Sequence, residues 1–188
     1  GPLADGPFPE HYEPMESPVI ANPMSKQRIN PVAKLEYMDK DELPVDLSVG
    51  GNMLYPIVAT TIRTQELYET GSSTRRQPGL LEMMPQMFVE MSEELAQEKN
   101  IQNGDKVIVS SARGKLWAKA LVTKRFKPFK VAGSTVHQVG MPWCFGWRCP
   151  EDGSGGDSSN LLGPSFFDPN ATEPEVKAFM VDISRVEE

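Results

Sequence analysis

The clearest pattern of polar and apolar positions lies between residues 90 and 123 and begins with a helix signal. Ser92 is a residue type that caps helices, and the acids Glu93-Glu94 follow it, where they meet the positive end of the helix dipole. Leu95-Ala96 supplies a short apolar face. The pattern predicts a helix of about two turns that ends near Asn100.

A β-hairpin is predicted directly after this helix. The turn sequence Asn103-Gly104-Asp105 precedes a period of two, with Val107 and Val109 on one face and Ile108 on the other. Arg113-Gly114 then reverses the chain. The return strand alternates in the same way, with one face formed by Leu116, Ala118, Ala120 and Val122. A helix followed by such a hairpin is typical of a small closed barrel.

Four more segments have strand or turn character. Residues 54–61 form an apolar, β-branched run that predicts a buried strand. Residues 86–91 place three methionine and valine side chains on one face, which we interpret as core. Residues 131–140 predict a turn and a strand, and residues 177–183 predict a closing strand with one buried face.

Proline separates the chain into two parts. The 188 residues contain 17 prolines, many of them before position 57. Residues 1–51 show no sustained period and predict an extended arm, and residues 52–188 predict one domain. The arm could be a disordered linker, but its spaced apolar residues favour a strap that packs on parts of the protein beyond this sequence. We expect residues 1–45 to be mobile in the isolated domain.

Charge and hydropathy exclude two classes of partner. A net charge of −7 argues against general nucleic-acid binding. No run approaches the roughly 20 apolar residues of a membrane helix, so this piece is predicted to be soluble, without a transmembrane segment. The basic segment 124–130 is interpreted as a solvated loop.

The sequence contains no recognisable catalytic or metal-binding spacing. Cys144 and Cys149 form a single C-x4-C pair, which disfavours a zinc site but leaves a disulfide open. His137 has no nucleophile and acid at a recognised spacing, so no triad is supported. We predict no catalytic residue and no stoichiometric metal in these residues.

Two loops could bind a ligand. Residues 63–79 follow the first strand and offer hydroxyls, amides and arginines, which suit a phosphate, although an ordinary surface loop has the same composition. Residues 140–163 form a long second loop, with a cap signal at residues 157–160. Loops of this length are usually functional or disordered.

Several ordered motifs carry a family resemblance. The helix followed by N-G-D-x-V-x-V-x-S-x-R-G resembles the C-terminal domain of molybdenum and tungsten oxidoreductases that bind a pterin guanine dinucleotide. Residues 6–14, 60–63, 139–143 and 172–179 are similar to blocks that large formate dehydrogenase subunits have in the same order. The resemblance covers nearly the whole chain.

The resemblance implies a fold and a set of cofactor contacts. The expected fold is mainly β, a double-psi β-barrel of six to seven strands with short helices and an extended N-terminal arm. The implied ligand is molybdopterin guanine dinucleotide, with the metal and the iron–sulfur clusters held by upstream domains. The expected cofactor-binding residues are Thr61, Arg63, Thr64, Gln65, Tyr68, Thr70, Gln138, Asn160, Asp168, Asn170, Val176 and Lys177.

Two features of the first loop bear on these contacts. Where close relatives read R-L-T-E-H-x-H, this chain reads R-T-Q-E-L-Y-E from Arg63 to Glu69, so two histidines are replaced. Arg63 is expected to face a phosphate and to have no anionic partner when the cofactor is absent.

The resemblance also implies the function of the parent protein. It would be a formate dehydrogenase, oxidising formate to CO2 and passing electrons through iron–sulfur clusters to a partner subunit, in a prokaryotic cytoplasm or periplasm. This domain would hold the dinucleotide, pack against upstream catalytic domains and be inactive alone. The alternative is a separate subunit of a related complex, such as formylmethanofuran dehydrogenase. A third hypothesis, a double-psi barrel enzyme resembling the aspartic proteases, would require an Asp-Thr-Gly or Asp-Ser-Gly triplet, which the sequence lacks.

Overall fold

The computed structural model describes residues 16–19, 54–164, 174 and 177–187. The strands in this part of the chain are β1 (Ile57–Ile62), β2 (Phe88–Ser92), β3 (Lys106–Ser110), β4 (Lys115–Thr123), β5 (Phe129–Val131), β6 (Ser134–Val136), β7 (Gln138–Pro142), β8 (Trp147–Arg148), β9 (Gly155–Gly156) and β10 (Phe179–Arg185). The helices are α1 (Pro78–Met83) and α2 (Glu93–Glu98), with 3-10 turns at Thr74–Arg76 and Ser159–Leu161.

Six strands close into a barrel in the order β1-β10-β3-β4-β2-β7, and β7 pairs again with β1. The β1–β7 and β2–β4 pairs are parallel, and the other pairs are antiparallel. Closure removes the exposed strand edges that invite aggregation. The structure therefore confirms the predicted mainly β barrel with short helices, with six strands in its wall.

The barrel core follows the alternation in the sequence. Val107, Val109 and Leu116 are fully buried, and β4 alternates between buried and exposed positions along most of its length. Met87, Val89 and Met91 also lie in the core, which confirms their interpretation as packing residues. A single face of each strand thus supplies the apolar interior.

The helix and hairpin signals are confirmed at the level of hydrogen bonds. Ser92 Oγ accepts a 3.1 Å hydrogen bond from the Leu95 backbone N–H, so Ser92 caps α2 as predicted. The Ser111 N–H donates to the Gly114 carbonyl at 2.8 Å and closes the β3–β4 turn. These elements form locally because their partners are only three residues apart.

The structure adds elements that the pattern did not indicate. Helix α1 begins at Pro78, a favourable residue for a first turn. The second loop contains the short β8–β9 hairpin and a 3-10 turn capped by Ser158. The closing strand begins two residues later than predicted and ends at Arg185.

The basic segment 124–130 is mostly exposed, in keeping with its interpretation as a solvated loop, but Arg125 and Phe126 tie it to the barrel. Arg125 pairs with the buried carboxylate of Glu90, which also accepts a 2.7 Å hydrogen bond from Thr123. The Phe126 ring lies where a side chain on Gly140 would be, since a Cβ there would come within 2.6 Å of it. Only glycine at position 140 leaves room for this packing.

The predicted arm is described only at residues 16–19. There it packs on the barrel through Glu16, a contact within this chain that the expected packing on parts outside this sequence did not include. The predicted mobility of residues 1–45 and the boundary at residues 51 and 52 otherwise lie outside the described residues. No helix of the described part is long and apolar enough to cross a membrane.

Candidate functional site

Two parallel strands bring the first loop and the second loop to one end of the barrel. In the β1–β7 pair Ile62 lies opposite Pro142, so the next residues, Arg63 and Trp143, leave the barrel side by side. The Arg63 guanidinium carbon lies 4.4 Å from the centre of the Trp143 ring. This cation–π contact orients the plane of the guanidinium.

A second cation lies at the same end. Strand β10 runs antiparallel to β1, so Lys177, just before β10, returns beside the end of β1. Its Nζ donates hydrogen bonds to the Thr61 carbonyl at 2.6 Å and to Thr61 Oγ1 at 2.8 Å. We call Thr61, Arg63, Trp143 and Lys177 the cationic rim.

The cationic rim concentrates positive charge. Burial lowers the pKa of Lys177, and the nearby charge of Arg63 lowers it further. An anion between or beside these two cations would offset this repulsion of the Lys177 charge. The rim is therefore suited chemically to an anionic group.

Arg63 already has an acidic neighbour. Its Nη1 donates to Glu69 Oε2 at 3.1 Å, and the two side chains are 60% and 55% exposed. The expectation that Arg63 has no anionic partner in the absence of cofactor is therefore wrong. The loop places Glu69 six residues after Arg63 and folds back to it, a geometry that sequence spacing alone does not reveal.

The first loop uses several of its own hydrogen-bond groups to fold. The Tyr68 N–H donates to Thr74 Oγ1 at 3.0 Å, the Gly71 N–H donates to the Tyr68 carbonyl at 2.8 Å, and the Arg75 N–H donates to the Gly71 carbonyl at 2.9 Å. These three amides are consequently not available to a phosphate. The loop can offer a ligand its side chains and its remaining amides.

Cys144 joins the two loops beneath the rim. Its thiol is buried and lies 3.8 Å from the Thr64 hydroxyl. Burial raises the pKa of Cys144, which keeps the thiol neutral. Cys149 is also a free thiol, so the two cysteines do not form the disulfide that their spacing left open.

A second arginine lies near this end of the barrel, at the tip of the β3–β4 hairpin. Arg113 donates to both carboxylate oxygens of Glu16, at 2.5 and 3.1 Å, and to the Leu162 carbonyl from Nε at 2.8 Å and from Nη2 at 2.6 Å. Glu16 also accepts a 2.6 Å hydrogen bond from the Met180 N–H. This clamp holds together the arm, the hairpin, β10 and the loop that carries Asn160.

The structure brings part of the predicted set together. Thr61, Arg63 and Lys177 lie at the cationic rim, and Thr64, Gln65, Tyr68 and Thr70 lie on the loop that follows Arg63. Asn160 is exposed in the 3-10 turn packed near the β3–β4 hairpin, at the same end of the barrel. Asp168, Asn170 and Val176 lie outside the described residues.

Gln138 is separated from the rim. It pairs in register with Val58, four residues before Ile62, which corresponds to about 13 Å along the strand. Its side-chain amide donates to the Lys127 carbonyl at 3.1 Å. Gln138 thus lies toward the other end of the barrel, and its role in cofactor binding stays a prediction.

Sequence reasoning missed Trp143 and Glu69 as site residues. Trp143 lies in the block of residues 139–143 that carries the resemblance, but its contact with Arg63 depends on the parallel pairing of β1 and β7. The contact of Glu69 with Arg63 depends on the fold of the first loop.

Within the described ranges, no group of three or more His, Cys, Asp or Glu side chains is arranged to hold a metal ion.

Comparisons with known proteins identify the family of this chain. A family model described as "Molydopterin dinucleotide binding domain" matches residues 57–180, which include the whole cationic rim. A solved structure of acetylene hydratase from Pelobacter acetylenicus has a TM-score of 0.52 and 16% identity, covering 70% of this chain and 18% of that chain. This likeness supports the fold alone.

Three curated relatives are similar over almost the whole chain. The formate dehydrogenase subunit alpha of Megalodesulfovibrio gigas is 52% identical over 96% of this chain. The formate dehydrogenase 2 subunit alpha (cytochrome c-553) of Nitratidesulfovibrio vulgaris is 48% identical over 97%, and the nitrate-inducible formate dehydrogenase major subunit of Escherichia coli is 40% identical over 97%. The chain spans only 17% of the length of each of these relatives.

Proposed function

The chain belongs to the Molydopterin dinucleotide binding domain family, and from this premise we propose that its cationic rim binds a phosphate of the guanine dinucleotide of a molybdopterin cofactor. The observation that carries the proposal is the meeting of Arg63, Lys177 and Thr61 at one end of the barrel. Two positive charges and a hydroxyl match the chemistry of a diphosphate.

The two cations would act differently. Arg63 can donate two parallel hydrogen bonds to phosphate oxygens, and Trp143 already orients its guanidinium plane. Lys177 would act as a point charge, held in place by its hydrogen bonds to Thr61. An anion beside both would offset the repulsion that lowers the pKa of Lys177.

Other predicted residues would complete the site. Tyr68 presents an exposed ring that could stack on a flat base, and Thr64, Gln65 and Thr70 offer polar groups on the same loop. We propose further contacts from Gln138, Asn160, Asp168, Asn170 and Val176. The domain would begin near residue 52, with residues 1–51 as the arm.

For the whole protein we propose formate dehydrogenase activity. The support is the similarity to subunits named as formate dehydrogenases over 96–97% of this chain. The bound cofactor would supply the centre at which formate is oxidised to CO2, with its molybdenum or tungsten and the iron–sulfur clusters held by upstream domains. This chain would position the dinucleotide, be inactive alone and contact those domains. An electron-transfer subunit would complete a soluble assembly in a prokaryotic cytoplasm or periplasm.

The alternative of a separate small subunit has less support. The similarity to large subunits extends through almost the whole chain and so includes most of the arm. An arm shared with large subunits favours a domain that continues from an upstream part of the same protein.

The test is titration of the 188-residue chain with guanosine diphosphate, comparing Arg63→Ala with Arg76→Ala. Arg76 lies exposed in the same loop and serves as the matched control. Loss of a hydrogen bond to a charged group should weaken binding by about 1.5 to 3 kcal/mol, or roughly 10- to 150-fold, for Arg63→Ala only. Equal affinities for both variants would refute the placement of the phosphate site.

A further inference from the structure

We propose that Glu69 is an internal competitor for the anionic ligand of Arg63: its carboxylate occupies the guanidinium in the free domain and is displaced when the ligand binds. This inference rests on the proposed function of the cationic rim. It assigns a regulatory role to a residue that lies next to the site but would repel the ligand.

The geometry favours displacement of Glu69 over displacement of Arg63. Glu69 is held to Arg63 by one hydrogen bond of 3.1 Å, and both side chains are more than half exposed. Arg63 has an independent contact, the Trp143 ring at 4.4 Å, which holds the guanidinium whether or not Glu69 is present. A ligand can therefore replace the carboxylate of Glu69 without changing the conformation of the Arg63 side chain.

The energies of the two contacts also favour exchange. An exposed ion pair contributes little to stability, because water and salt screen it. A phosphate carries more charge than a carboxylate and would also be attracted by Lys177. The carboxylate is thus a weak occupant that a phosphate can outcompete, but only at a measurable loss of ligand affinity.

The loop imposes an unusual backbone conformation on Glu69. Its φ is 52°, in the left-handed region that residues other than glycine adopt only at an energetic cost. The adjacent turn is closed by the hydrogen bond from the Gly71 N–H to the Tyr68 carbonyl. This tight turn brings the carboxylate back to Arg63.

The competitor model predicts that loss of the Glu69 charge improves binding. In titrations of the 188-residue chain with guanosine diphosphate, Glu69→Gln should bind about three- to fivefold more tightly than the unchanged chain, the factor expected from removing a weak exposed ion pair. Glu66→Gln removes the same charge from the same loop, where the described structure shows no ion pair between Glu66 and Arg63, and should change affinity by less than about twofold.

A double mutant separates this inference from the proposed function. In the Arg63→Ala background, Glu69→Gln should have no further effect, because the two residues act through one contact. Binding that depends on Arg63 but is unchanged or weakened by Glu69→Gln would refute the competitor role and leave the phosphate site intact. Absence of any Arg63-dependent binding would refute both. Melting curves of each variant establish that the barrel remains folded.

Discussion

Two arginine–glutamate pairs toward the same end of the barrel have different surroundings. Arg63 and Glu69 are 60% and 55% exposed and share one hydrogen bond. Arg113 and Glu16 are 17% and 2% exposed and belong to a network that also includes the Leu162 carbonyl and the Met180 N–H. The same residue types therefore form an exposed pair with one hydrogen bond in one place and a buried clamp with several hydrogen bonds in the other.

Solvation explains the difference. A charge removed from water must have all of its hydrogen-bonding groups satisfied, so a buried pair is held by several partners and resists separation. An exposed pair has water as an alternative partner and separates at little cost. A ligand site that exchanges an internal anion for an external one requires the second kind of pair.

Both pairs are held in place by the same barrel core. A substitution in this core is expected to have the largest effect on stability. Val109 is fully buried in β3, so Val109→Asp places an unpaired charge in the barrel interior. We expect a loss of more than about 4 kcal/mol in the free energy of unfolding, enough to unfold a domain of this size. The measurement is urea denaturation followed by circular dichroism.

The control for Val109→Asp is Lys115→Asp, at an exposed position of the neighbouring strand. This control should stay within about 0.5 kcal/mol of the unchanged chain. If Val109→Asp kept the melting temperature of the unchanged chain, the assignment of β3 to the core would be wrong. The positions of both arginine–glutamate pairs on this barrel would then be in error as well.

The clamp should be sensitive to a single-atom change. Glu16→Gln replaces a carboxylate oxygen by an NH2 group, which must then face either Arg113 or the Met180 N–H, both of which are donors. We expect a loss of about 3 kcal/mol in stability, as for other broken buried pairs. Thermal unfolding gives the value.

The matched variant at the exposed pair is Glu69→Gln, which should change stability by less than about 1 kcal/mol. The ratio of the two effects measures the contrast between the pairs directly. Equal effects would show that exposure does not distinguish them, and the assignment of one pair to structure and the other to ligand exchange would be abandoned.

The smallest expected effect concerns the pH dependence of folding stability that arises from Lys177. Its pKa in the folded chain lies below the ordinary value of 10.5, chiefly through burial and then through repulsion by Arg63. Between the lowered pKa and 10.5 the unfolded chain binds more protons than the folded chain, so stability rises with pH in that window. The cost of partly desolvating this charge is fully present below the folded pKa.

The test is to follow the stability difference between the unchanged chain and Lys177→Met from neutral pH to pH 10.5. The difference should shift in favour of the unchanged chain by less than about 1 kcal/mol, because the side chain is partly solvated. Lys115→Met, at an exposed site, is the control. A shift in the opposite direction would show that Lys177 gains, and does not lose, favourable charge interactions on folding.

Local patterns predicted much of the barrel. The alternation around Val107 and Val109 predicted buried strand faces, and Ser92 predicted the helix start, because both signals depend on neighbours within a few residues. The resemblance predicted the closed barrel and placed Arg63 and Lys177 among the ligand residues. The separation of Gln138 from the rim was not foreseen, since it depends on the strand register.

The sequence by itself determined which faces are apolar, where the chain turns and which residues can carry charge toward a ligand. Only the tertiary structure decided which partners those charged side chains meet: Lys177 bonds to Thr61 across 116 positions, and Arg113 pairs with Glu16 across 97. The physical reason is that alternation and capping are set by nearest neighbours, whereas contacts between distant residues depend on barrel closure and on the burial of each charge.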